Sequence, residues 1–128
     1  MRGYSSYNLT KECRKELLEK FPPKYHKVVA HHVTYEFGNV DKDNPPPEPN
    51  SIKIKGYYDA GDGLEVFVVE VDSTINRHDG SYWHITWSLT PNKYKPVDSN
   101  TVLRDNIKNA VWFQKSIDLE VEPTVNIF

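Results

Sequence analysis

The chain has 128 residues, 16 Lys and Arg against 18 Asp and Glu, and a formal net charge of −2. That length suits one domain spanning 1–128 with a sizeable core, and the slight acidity argues against a coat for long nucleic acid. No apolar run matches a membrane span, no apolar stretch follows the first residues as in a signal peptide, and the single cysteine, Cys13, excludes an intramolecular disulfide, so a reducing cytoplasm is expected.

The first predicted element is a helix over 10–21. Thr10 is its N-cap, Cys13, Leu17, Leu18 and Phe21 form its apolar side, and Pro22-Pro23 ends it. Val28 to Phe37 then alternates like one strand, with Val29, Val33, Tyr35 and Phe37 on one face and Val28, Ala30, His32, Thr34 and Glu36 on the other. Residues 38–50 carry four prolines and read as an extended, exposed loop. Strands over 51–58 and 64–72, joined by Ala60-Gly61-Asp62-Gly63, make a hairpin, and 73–81 is another turn. Tyr82 to Leu89 places Trp83, Ile85, Trp87 and Leu89 on one face and Tyr82, His84, Thr86 and Ser88 on the other. Asp98 or Ser99 caps a short helix to about 109, and 116–122 alternates like an edge strand. The result is a mixed α+β chain of about five strands and two helices.

Two strands carry the same device. His32-Val33-Thr34 and His84-Ile85-Thr86 each set a His and a Thr on one strand face around an apolar residue. Coincidence would produce two such pairs among five histidines only about 3% of the time, before strand context is counted. Two imidazoles titrate near neutrality, so one can take a proton while the other gives one. Cleaving a phosphodiester needs both transfers. A hydroxyl two residues along a strand, roughly 7 Å away on the same side, can hydrogen-bond a nonbridging phosphate oxygen. This logic calls for no metal and no cofactor.

The paired His-x-Thr motifs resemble those of the 2H phosphoesterase superfamily. The resemblance implies a compact, pseudo-symmetric, bilobal α+β fold, antiparallel sheets with flanking helices, in which each half offers one motif to a central cleft. It implies acid and base roles for His32 and His84 and phosphate binding by Thr34 and Thr86. It also implies a substrate among 2′,3′-cyclic phosphates, 2′-5′ linkages, RNA 3′ ends and cyclic nucleotide signals. Some viral members degrade nucleotide messengers of host defence and would work in the host cytoplasm. The small size and slight acidity favour a small cyclic or short oligonucleotide as substrate. The alternatives are RNA-end processing of a 2′,3′-cyclic phosphate and a module that sequesters a nucleotide uncut.

Alternation adds three substrate-binding candidates. Tyr82 precedes His84 on the same face, and Ser88 and Glu36 continue the two polar faces. His31 should point away from His32, and His26 and His78 fall in loops. Lys53 and Lys55 read as a solvated face, Trp83 and Trp87 as core, and Trp112 as core or a stacking ring. No His-x-x-x-His or paired cysteines suggest zinc.

Overall fold

The computed structural model describes residues 1–128. Its elements are β1 (Arg2–Leu9), α1 (Lys11–Lys20), β2 (Lys27–Val28), β3 (His32–Asn39), β4 (Ile52–Asp59), β5 (Leu64–Val71), β6 (His84–Leu89), α2 (Asp98–Asn106), β7 (Val111–Asp118) and β8 (Val121–Ile127), with a short 3-10 turn after α2. The strands form two antiparallel sheets, ordered β3-β1-β8 and β2-β6-β5-β4-β7. The chain is therefore α+β, with two antiparallel sheets and two helices. No helix is long and apolar enough to cross a membrane.

The near-continuous apolar run of β5 explains its place inside the larger sheet, because both of its faces are buried. Phe67, Val69 and Val71 join Tyr7, Val33, Ile85, Trp87 and helix residues Cys13 and Leu17 in the main core. Leu64, Val66 and Val68 face the other way, under Leu103 of α2. Thr10 caps α1 by accepting from the Cys13 amide, and the Trp87 indole N–H donates to the Phe21 carbonyl at the helix's end.

Several sequence expectations change. The run Val28 to Phe37 is not one strand. Val29 and Ala30 bond Trp87 and Thr86 beside β6, whereas the amide of Leu9 in β1 bonds the His31 carbonyl. The chain thus crosses between sheets at Ala30, whose φ of 43° is left-handed and rare outside glycine. α2 starts at Asp98, but neither Asp98 nor Ser99 caps it: Val97 holds that position without a side-chain bond. Three strands replace the single expected edge strand and the unassigned N-terminus. β1 hides behind Gly3, Ser5 and Ser6, yet both serines are buried. Gly3 is required there, since a Cβ would meet the Asn126 carbonyl oxygen at 2.0 Å. β8 contains Pro123, tolerated because β8 is an edge strand.

One buried carboxylate anchors the segment after α1. Glu65 accepts from the Lys24 amide at 2.6 Å, from the Tyr57 hydroxyl at 2.7 Å and from the Ser88 hydroxyl. Removing it strands three donors, each costing on the order of 1–3 kcal/mol if it finds no other partner. Glu65→Ala is expected to lower unfolding free energy by about 3 kcal/mol in urea titration, against less than about 1 kcal/mol for exposed Glu19→Ala.

Candidate active site

The crossing at Ala30 sets the first motif strand against the second. β3 leaves the junction beside β6, and a cavity of about 580 Å³ opens between them. His32, Thr34, His84 and Thr86 all line it. The four residues named from the two motifs therefore meet at one place, although they arise from different sheets.

Each motif is followed by a β-bulge. Ser5 pairs with Glu36 but Ser6 with Thr34, so Tyr35 is the extra residue of β3. Glu65 pairs with Ser88 but Val66 with Thr86, so Trp87 is the extra residue of β6. A bulge reverses the alternation beyond it. This corrects two substrate-binding assignments by one cause. Ser88 turns from the cavity and bonds Glu65, while accepting from the Tyr25 amide at 3.0 Å. Glu36 is likewise absent from the wall, where Phe37 takes the place beside His32 and Thr34. Tyr82 does not line the cavity either: it packs against the smaller core cluster, and its carbonyl meets the His84 ring.

That contact orients His84. Nδ1 lies 2.9 Å from the Tyr82 carbonyl oxygen, which can only accept. Nδ1 therefore bears the hydrogen, and Nε2 of the neutral ring is left with its lone pair. His32 is held differently. Its Nδ1 lies 3.1 Å from Nδ1 of His31, and the Tyr4 ring packs on it with centroids 5.0 Å apart. His31 thus touches His32, contrary to the alternation argument, because β3 starts only at His32 and strand geometry does not extend back to His31.

Thr86 is braced by residues that the motifs do not contain. It donates to the Pro96 carbonyl at 3.2 Å, and the fully buried Ser99 hydroxyl lies 2.8 Å away. Any acceptor oxygen entering the cavity would compete with the Pro96 carbonyl for the threonine proton.

Arg77 is the most informative omission. Its guanidinium bonds the Thr34 carbonyl at 3.2 Å, Asn100 Oδ1 at 3.2 Å and Asp79 at 3.0 Å, tying β3, α2 and the turn before β6 together. It lay in a turn with no neighbouring pattern to mark it. Lys95 is a second cation on the wall, and no Asp or Glu lines the cavity. A chain of net charge −2 thus carries a locally positive site. Tyr4, Phe37 and Phe128 give it an aromatic rim, with Phe37 and Phe128 rings 5.9 Å apart.

The other candidates lie elsewhere. His78 is not simply solvated, since its ring packs on Tyr35 at 4.8 Å. Lys55 pairs with Glu70 at 3.8 Å, and Trp112 lies half-exposed on β7 against Gly56. No group of three His, Cys, Asp or Glu side chains is placed to hold a metal ion.

Burial pushes the pKa of both cavity histidines down to about 4; His31 and His84 add to the effect at His32, and Arg77 adds to it at His84. Unfolded histidines take up protons as pH falls through 6.5, whereas the folded rings resist until about 4. Their contribution to stability is therefore complete above pH 6.5 and declines as pH drops toward 4. Asp59 and Asp79, held below the usual carboxylate range by bonded partners despite burial, act below that window. Urea midpoints should fall across it, and His32→Gln or His84→Gln should each flatten the slope. An unchanged slope in both variants would contradict the assignment. Compared with protein-family models, curated proteins and solved structures, the chain finds no match.

Proposed function

We propose that this protein is a metal-independent phosphodiesterase of 2H type acting on a small cyclic or short oligonucleotide, signalling nucleotides of host defence among them. The observation that carries the reading is the convergence of His32, Thr34, His84 and Thr86 on one cavity. Two further features support it. The bulge after each threonine gives the two motifs the same local geometry, as a pseudo-symmetric pair would have. The cavity is of ligand size, cationic and edged by aromatic rings, which suits a phosphate flanked by a base.

The tautomers divide the roles. His84, with Nδ1–H bound to a carbonyl, offers the Nε2 lone pair and acts as base on a water or a ribose 2′-hydroxyl. His32 protonates the leaving oxygen. Thr34 and Thr86 donate to the nonbridging oxygens as negative charge grows on them, with Lys95 adding to the field.

The test is turnover in EDTA of 2′,3′-cyclic mononucleotides, cyclic di- and trinucleotides, 2′-5′ oligoadenylate and RNA bearing a cyclic-phosphate end. His32→Ala and His84→Ala should each lose about 10²-fold or more. Thr34→Ala and Thr86→Ala should lose on the order of 10²-fold in kcat/KM. A p-nitrophenyl phosphodiester separates the histidines, because its leaving group needs no acid. His84→Ala should lose it and His32→Ala should largely keep it. Tight binding without turnover would replace the enzyme by a sequestering module. Cleavage confined to 2′,3′-cyclic ends would make it an RNA-end enzyme.

A further inference from the structure

We infer that His31, outside both motifs, is a positioning residue that donates a hydrogen bond to His32 Nδ1 and so keeps the transferable proton of His32 on Nε2. The inference rests on the phosphodiesterase reading for its chemistry and on the imidazole pair for its geometry. The two Nδ1 atoms lie 3.1 Å apart, with the rings nearly perpendicular at 79°. One nitrogen must therefore donate and the other accept.

The environments decide which. His31 is exposed, whereas His32 lines the cavity and is packed under Tyr4. The donor ring keeps its hydrogen on Nδ1 and leaves a bare Nε2 lone pair, which belongs on the ring that water can solvate. His31 with its hydrogen on Nδ1 is therefore the donor. His32 then accepts at Nδ1 and carries its own hydrogen on Nε2, the nitrogen turned from His31. On the His32 side, His84 acts across the cavity and the Tyr4 ring packs on the imidazole, while Arg77 and Asp79 act in turn on His84.

This arrangement removes a difficulty. An acid that had to be an imidazolium would be scarce at neutral pH in a ring buried like His32. Through His31 the ring can act while neutral. The nucleophile forms its bond to phosphorus and gives its proton to His84 Nε2. The bond from phosphorus to the leaving oxygen breaks, and that oxygen takes the proton from His32 Nε2. The Nδ1 proton of His31 passes to His32 Nδ1 as water supplies a proton to the exposed Nε2 of His31. His84 returns its proton to solvent. After product leaves, water in the cavity reprotonates His32 Nε2, the transfer between the Nδ1 atoms runs backward, and His31 Nε2 returns its proton to solvent. His84 lacks any such partner, because its Nδ1 faces a carbonyl.

The test has two arms. In long-range ¹H–¹⁵N spectra of the full chain, His84 should be the Nδ1–H tautomer and His32 the Nε2–H tautomer. His31→Ala should release His32 to a mixture, while His31→Gln, whose amide can still donate, should preserve it. A wild-type His32 found as Nδ1–H, or a tautomer indifferent to His31→Ala, overturns the inference whether or not any substrate is cleaved. In the second arm His31→Gln cannot relay a proton. It should lose about tenfold or more with ribose leaving groups and stay within about twofold on a p-nitrophenyl ester. Full rates with both leaving groups would refute the relay. A wild type that cleaves nothing refutes the phosphodiesterase reading and leaves the spectra to judge the His31–His32 bond.

Discussion

The cavity depends on the junction at Ala30. Its amide belongs to one sheet, through the Thr86 carbonyl, and its own carbonyl accepts from Arg14 Nε of α1 at 2.7 Å. The next carbonyl, of His31, already belongs to the other sheet through Leu9. A residue in a left-handed conformation costs on the order of 1 kcal/mol and persists only where its surroundings hold it. Here three hydrogen bonds and complete burial do so. Without the bend, Thr34 and Thr86 would have no reason to face one space.

Arg77 then closes what the bend brings together. Polar bonds to a strand carbonyl, a helix side chain and a turn carboxylate come from one planar group, whose side chain is only 9% exposed. Its charge is matched by Asp79, so it braces the site without dominating its field. Lys95 has no such carboxylate partner and is the freer cation of the wall. The absence of Glu36 from the wall matters for the same reason: a carboxylate there would offset the charge of Lys95.

Much of this was legible and some was not, for identifiable reasons. Period-two reading located β4, β5 and β6 and both motif pairs, because those strands bury one or two whole faces. It failed past Thr34 and Thr86, where a bulge inserts one residue that no composition signal marks. It failed at His31, where the strand had not begun. β1 and β8 were invisible because Gly3, buried Ser5 and Ser6, and Pro123 carry the signature of turns while sitting in ladders. Ser99 and Arg77 act through contacts with distant segments, which local pattern does not encode.

The smaller sheet has a consequence for how the molecule comes into being. β1 lies between β3 and β8, and Gly3 pairs with Ile127. That ladder joins residues far apart in sequence, a connection of high contact order that closes slowly. The hairpin of β4 and β5 and its partner β6 are neighbours in sequence and can assemble while synthesis continues. The aromatic rim draws Tyr4 from β1 and Phe128 from just after β8, so it is completed only once residue 128 exists. A nascent chain therefore carries both histidine motifs well before the rim of the cavity is complete.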